Sequence, residues 1–244
     1  MLSAKANILK QLERDILSLQ GLKRLPPGTG FNFGLGPIED AFPNNCFPIA
    51  AVHEFISPGA VNSAATSGFI AGITATLMRN NGVAVWISPS QSIFPPALKT
   101  FGLDPDKIIF INHLQPKEIL WTMEETLKCD GLAAVIGELP AIDFTASRRL
   151  QLAVEQHRIT GFIVCTGNRP PSVNACVSRW KITTLASEEN ESLPGIGFPR
   201  WNVELLKIRN GKPGSWQVEW KEDRFHIIAP SVEYAEEEQK RKVG

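Results

Sequence analysis

The sequence predicts an α/β fold in which a mostly parallel sheet is flanked by helices and followed by antiparallel hairpins. Short, almost continuously apolar runs alternate with helix-length segments, a pattern typical of parallel strands covered on both faces. These runs are 82–88, 107–112, 132–139 and 161–165. After Asn168 the pattern changes to strand-like runs that Asn210 and Gly211 divide, which favours hairpins. The later runs are 175–185, 201–208, 216–220 and 224–228.

Residues 1–48 are predicted to form a helix followed by an extended linker. Apolar residues recur at helical spacing over 3–19, which predicts an amphipathic helix that packs on the main domain or docks on a partner. Residues 21–48 are rich in glycine and proline, which favours a linker. We assign residues 49–230 to the α/β core and expect the charged residues 231–244 to be disordered.

Residues 49–80 are predicted to form a strand, a loop over 57–64 and a helix from about residue 65. This arrangement is typical of a phosphate-binding loop, whose pattern G-x-x-x-x-G-K-[ST] supplies backbone N–H groups, a lysine and a hydroxyl for Mg²⁺. No lysine occurs between Ala50 and Lys99. We interpret the loop as a degenerate nucleotide site, and an ordinary strand-to-helix turn is the alternative. Its residues of interest are Ser57, Pro58, Gly59, Asn62, Ser63 and Ala64.

The other residues that nucleotide hydrolysis requires are also missing from their expected positions. Gly137 stands where a metal-binding aspartate is expected at the end of the strand over 132–139. Glu138 follows it, and strand alternation points it to the other face, where hydrogen bonding within the fold is the favoured interpretation. No carboxylate that could serve as a base follows the strand over 82–88. Together with the missing lysine, these absences predict that the protein is not an ATPase and uses no cofactor.

Composition gives weaker constraints on function. The formal net charge is zero at pH 7, so nothing suggests a dedicated nucleic-acid-wrapping protein. The four cysteines and four histidines lack metal-ligand spacing, and we predict no metal site. The cysteine pattern, a polar start of the chain and the absence of a long apolar stretch favour a cytoplasmic location and no membrane contact.

Two groups of basic residues are candidates for contacts with a protein partner or with DNA. Arg148 and Arg149 are neighbours on the helix predicted over 145–157, so at least one of them is expected to face outward, although a solvated helix surface is the alternative. Arg179, Lys181 and Arg209 lie near tryptophans in the predicted hairpins. Such mixtures can form a platform for single-stranded DNA, but we favour a core or interface role for the tryptophans.

The run T-A-S-R-R-L-Q-L-A-V-E at 145–155 is distinctive, and so are residues 132–139, 121–129 and 200–220. These segments resemble the bacterial ImuA family of RecA-like proteins of SOS mutagenesis, and the run at 145–155 is the most specific of them. The resemblance implies a RecA-like core and a role in damage-induced, error-prone translesion DNA synthesis. It also implies three partners: an ImuB-type polymerase-like protein, an error-prone polymerase and RecA. Asn62, Ser63 and Ala64 stand where an active RecA has glycine, lysine and threonine.

We therefore expect a non-hydrolysing RecA-like adaptor that acts through protein–protein contacts and modulates RecA. A divergent NTPase that uses Glu138 and an arginine or lysine from a neighbouring subunit is one alternative. A single-stranded DNA-binding protein is another.

Overall fold

A nine-stranded sheet forms the centre of the computed structural model, which describes residues 31–57, 59–80, 82–91, 93–168, 172–188 and 197–228. The strand order is β3-β2-β4-β5-β1-β6-β7-β8-β9. The strands are β1 (Val52–Ile56), β2 (Val83–Ile87), β3 (Ile108–Ile111), β4 (Leu132–Leu139), β5 (Thr160–Cys165), β6 (Ser178–Leu185), β7 (Arg200–Ile208), β8 (Gly214–Lys221) and β9 (Arg224–Ile228). Neighbouring strands from β3 to β6 are parallel, whereas β6 to β9 pair antiparallel. The predicted mostly parallel sheet with C-terminal antiparallel hairpins is confirmed.

Three α-helices flank the sheet within the described part of the chain: α1 (Ala60–Leu77), α2 (Pro116–Thr126) and α3 (Phe144–His157). α2 starts with a proline and a capping box, in which the Glu118 carboxylate accepts the Gln115 N–H at 2.6 Å. Asp143 caps the N-terminus of α3, and its carboxylate accepts the Ala146 N–H at 2.7 Å. No helix within the described ranges is both long enough and apolar enough to cross a membrane.

A 3-10 helix, Pro95–Phe101, lies between β2 and β3. Two prolines at its start and a left-handed Gly102 at its end leave it too short for a stable α-helix. Further 3-10 turns are Gly36–Ala41, Pro43–Asn45, Met78–Asn80 and Pro105–Lys107.

Two apolar cores lie on opposite faces of the sheet. The first lies under α1 and is rich in aromatic side chains; Trp180 stacks on Phe55 with ring centroids 6.0 Å apart. The second lies under α2 and α3 and contains mainly aliphatic side chains from β1, β2, β4 and β5. Because both faces of the parallel strands are covered, their sequences are apolar at nearly every position.

Residues 31–48 belong to the first core and are not an extended linker. They contribute buried side chains that include Phe33, Leu35, Phe42 and Phe47. Their glycines and prolines form two 3-10 turns instead of an open chain. The predicted helix over 3–19 and the tail 231–244 lie outside the described residues, and the division of the chain into domains stays a prediction.

Candidate functional site

The turn between β1 and α1 lies where the sequence predicts a degenerate nucleotide loop. α1 begins directly after Gly59, so Asn62, Ser63 and Ala64 are helical, and the Ser63 N–H donates to the Gly59 carbonyl at 3.0 Å. The prediction of a loop over 57–64 is therefore wrong. Gly59 has a φ of 81°, a left-handed value that glycine adopts at little cost, and it turns the chain into the helix at once.

This turn is shorter than a phosphate-binding loop. β1 ends at Ile56, so only residues 57–59 separate the strand from the helix, and Pro58 lies outside the described residues. A phosphate-binding loop has four residues between its two glycines, and their N–H groups converge on phosphate. Here the Ser57 N–H donates instead to the Cys165 carbonyl at 2.9 Å. The turn retains the helix N-terminus but lacks both the length of the cradle and its cation.

The position expected for a metal-binding aspartate is filled by a methionine. Gly137 faces the second core, and a Cβ built on it would overlap the Met123 sulfur and lie 2.8 Å from the Met123 Cγ. Glu138 faces the first core, where its buried carboxylate accepts the Trp86 Nε1–H at 2.8 Å. This hydrogen bond confirms the prediction that Glu138 serves the fold, and it leaves no carboxylate at the position of Gly137.

The position expected for a catalytic base carries a buried serine. The Ser88 hydroxyl lies 2.6 Å from the Ser90 carbonyl oxygen and 2.7 Å from the Asn112 Oδ1. Its single proton is therefore used within the fold. A nearby cavity of about 80 Å³ is lined partly by Trp86 and Phe110 and carries no charged side chain.

His53 lies fully buried on β1 and forms part of a hydrogen-bonded chain. Its Nε2 lies 2.7 Å from the Pro48 carbonyl, which can only accept, so Nε2 carries the proton and Nδ1 accepts the Ser178 hydroxyl at 2.6 Å. The Trp180 Nε1–H completes the chain by donating to the Ser178 oxygen at 2.6 Å. Burial lowers the pKa of His53 to about 4, which keeps the ring neutral at physiological pH. Its role is structural.

Arg179, a predicted contact residue, points into the protein. Its guanidinium forms an ion pair with Glu54 and donates to the Ser172 carbonyl, and only 14% of its side chain is exposed. The Cys165 thiol also approaches the Glu54 carboxylate, with its sulfur 3.7 Å from Oε1. Burial first and this carboxylate second raise the pKa of the Cys165 thiol. Arg179 therefore neutralises a buried charge and does not present its own to a partner.

Lys181 and Arg209, the other basic candidates near the tryptophans, are also engaged within the fold. Lys181 pairs with Glu204 at 3.2 Å, and Arg209 donates to the Ala175 carbonyl at 3.0 Å. Strand alternation along β6 directs Arg179 and Lys181 to one face of the sheet and Trp180 to the other. Trp201 and Trp220 are buried in the first core as well, which confirms the core interpretation of these tryptophans.

Arg148 and Arg149 are exposed on α3, as predicted for at least one of them. Arg149 forms an ion pair with Glu124 of α2, which ties the two helices together. Between them lies a cleft of about 260 Å³, which we call the α2–α3 groove. It is lined by Lys117, Leu120, Trp121, Glu124, Ala146, Arg149 and Leu150.

Sequence reasoning missed Trp121 and Lys117 as surface candidates. Ile119 and Met123 are the buried residues of α2, and Trp121 lies two positions from each, about 200° around the helix. A tryptophan at that phase of an amphipathic helix is expected to face solvent, and 64% of Trp121 is exposed. The position of Trp121 around the helix, opposite the buried residues, was the sequence signal that could have identified it as a surface residue.

No family model matches the chain. It is similar to Protein ImuA of Caulobacter vibrioides, with 32% identity over 208 residues that cover 80% of this chain and 85% of that protein. It is also similar to the cell division inhibitor SulA of Serratia marcescens and of Yersinia pseudotuberculosis. Each SulA match has 28% identity over 80 residues, which cover 33% of this chain and 48% of SulA.

Proposed function

The chain belongs to the ImuA family, and we propose that it is a non-hydrolysing RecA-like adaptor in error-prone translesion DNA synthesis. The similarities to Protein ImuA and to SulA point to a role in the DNA-damage response. Within that role, the proposed partners are an ImuB-type polymerase-like protein, an error-prone polymerase and RecA, all in the cytoplasm. The protein would act by holding these partners together and by modulating RecA.

The observation that carries this proposal is the packing of Met123 against Gly137. A metal-binding carboxylate at residue 137 would need the space that the Met123 side chain occupies in the second core. The short β1–α1 turn and the neutral first turn of α1 are consistent with the same conclusion. Each change alone could be a variant catalytic solution, but together they favour a chain that keeps its fold and works through its surface.

Nucleotide turnover and partner binding test separate parts of the proposal. Purified full-length protein with ATP and Mg²⁺ is expected to release no phosphate above a buffer blank, and Mg²⁺-dependent turnover would support the divergent NTPase instead. The full-length chain is expected to co-purify with the ImuB-type protein or with RecA from its own organism. Failure with both would refute the adaptor role.

A substitution and a deletion of the gene test the proposal in cells. Ser63→Ala changes the residue that stands where an active RecA has lysine, and it should leave damage-induced mutagenesis unchanged because nucleotide chemistry is not used. Deletion of the gene should reduce damage-induced mutagenesis. A loss with Ser63→Ala as large as with the deletion would contradict the proposal, provided that the variant accumulates normally.

Inhibition of cell division is a second candidate function, favoured by the match to SulA. That match covers only 33% of this chain, so we rank this function below the adaptor role. Expression of the chain in undamaged cells should leave cell length unchanged if it is only an adaptor, whereas filamentous growth would favour the second candidate.

A further inference from the structure

The α2–α3 groove combines an exposed indole with apolar walls. Trp121 stands at its edge, and Leu120, Ala146 and Leu150 contribute apolar surface. Its volume is about 260 Å³, so water fills it when no ligand is bound. An aromatic side chain that entered the groove would displace such waters from apolar surface and would contact the indole face.

Two cations on the exposed faces of α2 and α3 lack charged or hydrogen-bonding partners among the described residues. Each of the five carboxylates on α2, on α3 and at Asp143 accepts from a group within the fold. These carboxylates are Glu118, Glu124, Glu125, Asp143 and Glu155. Lys117 lines the groove, whereas Arg148 lies outside it, next to the lining residue Arg149 on α3. Both Lys117 and Arg148 are exposed and form no hydrogen bond or ion pair with another described residue. The surface therefore fits a ligand that combines an apolar side chain with carboxylates.

The chain itself contains a segment with this chemistry. Residues 232–238 read V-E-Y-A-E-E-E, which places four carboxylates around Tyr234, the single tyrosine of the sequence. We propose that residues 232–238 of a second copy of this chain bind the α2–α3 groove, with Tyr234 against Trp121 and the glutamates beside Lys117 and Arg148. The inference does not depend on the proposed adaptor function.

The occupant has to come from a second copy because the segment of the same chain is too far away. α3 packs on β1 and β5, and β9 lies five strands from β5. At ~4.8 Å per strand, the groove is about 24 Å from β9 across the sheet alone. Tyr234 follows Ile228 by six residues, which span at most about 22 Å. β9 also runs antiparallel to β1 and ends away from the groove, which lengthens the path.

A peptide fits this surface better than nucleic acid does. A DNA strand would bring a continuous row of phosphates past Glu118, Glu124 and Glu125, where like charges repel. A short acidic segment can place its carboxylates at Lys117 and Arg148 and avoid the rest of the surface. Because Lys117 and Arg148 are two separate cations and not part of a continuous basic strip, the surface favours the peptide.

The first experiment measures binding of a labelled peptide that spans residues 230–239 to the full-length protein by fluorescence anisotropy. Trp121→Ala and the double variant Lys117→Glu, Arg148→Glu should each weaken binding at least tenfold. The exposed Lys212→Glu, on the β7–β8 turn, is the matched charge control and should change binding less than twofold. A peptide with lysines at 236–238 should bind the double variant more tightly than it binds the original protein.

A second experiment tests self-association without a peptide. In sedimentation velocity, the full-length protein should form dimers or larger species as concentration rises, and Tyr234→Ala should weaken this association at least tenfold. A ¹⁹F NMR spectrum of the 5-fluorotryptophan-labelled chain should show the Trp121 signal, identified with Trp121→Phe, shifting over the same concentration range. Urea unfolding of each variant checks that the surface changes leave the fold intact.

Three results would overturn the inference. The first is equal peptide binding by the original protein and by the double variant. The second is a chain that stays monomeric with an unchanged Trp121 signal. The third is displacement of the peptide by a single-stranded 20-mer that depends on Lys117 and Arg148, which would assign the surface to nucleic acid.

Discussion

Mild acid should destabilise this protein through His53. In the folded chain the neutral ring donates from Nε2 to the Pro48 carbonyl and accepts the Ser178 hydroxyl at Nδ1. The rings of Phe47 and Phe162 lie 4.5 and 5.6 Å from it, centroid to centroid. A second proton would remove the acceptor of the Ser178 hydroxyl and place a charge among these rings, so the folded protein resists protonation.

The size of the effect follows from the two pKa values. Burial lowers the pKa of His53 from 6.5 to about 4, whereas the unfolded chain keeps the ordinary value. Well above pH 6.5 both states are neutral and the full stability is present. As pH falls from 6.5 towards 4 the unfolded chain binds the proton first, so the free energy of unfolding decreases. Between pH 7.5 and 5 the loss is about 2 kcal/mol.

Urea unfolding of the original protein and of His53→Gln across this pH range measures the effect. The glutamine side chain can donate to Pro48 and accept from Ser178, but it does not titrate. The variant therefore removes the titratable group and keeps both hydrogen-bonding roles. The difference between the two unfolding free energies should change by about 2 kcal/mol from pH 7.5 to 5, while effects of the other titrating groups cancel. Parallel curves would refute the assignment of a buried neutral histidine.

Substitutions of Arg179, Asp143 and Gly72 test the packing, the first two with a control variant. Arg179→Ala should cost about 3–5 kcal/mol in urea unfolding because it leaves the buried Glu54 carboxylate unpaired, whereas the more exposed Lys181→Ala should cost less than about 1 kcal/mol. Asp143→Ala should cost about 1 kcal/mol by removing the cap of α3, and Asp143→Asn should restore most of it. Gly72→Ala should lower the free energy of unfolding by about 1–3 kcal/mol through overpacking, because its Cβ would lie 2.7 Å from atoms of two buried aromatic rings, and a lower melting temperature would show it.

The sheet could be predicted from the sequence because burial on both faces leaves a local signature. β4 has the predicted bounds, Leu132–Leu139, since its largely apolar run is bounded by Gly131 and Pro140. The start of α1 could not be predicted in the same way. It has no side-chain cap, and the turn depends on the φ of Gly59, which sequence patterns do not specify.

The candidate site was harder to predict because its contacts join distant parts of the chain. Glu54 and Arg179 are 125 residues apart in sequence, yet β1 and β6 are adjacent strands that place them opposite each other. A local pattern shows Arg179 as a cation between strand residues and cannot show the carboxylate that engages it. The ion pair of Arg149 with Glu124 similarly requires the packing of α3 beside α2.

Under the proposed function, the positions expected to carry nucleotide chemistry serve the fold instead, which limits how that chemistry could be introduced. An aspartate at residue 137 would have to displace Met123 from the second core, where overpacking typically costs about 1–3 kcal/mol and a buried charge costs more. A lysine at residue 63 would project from a helix instead of a phosphate cradle, because α1 already begins after Gly59. Single substitutions therefore lower stability without rebuilding a site. Substitutions on the exposed faces of α2 and α3 carry little of this cost, so under the proposed function new contacts are more easily acquired there.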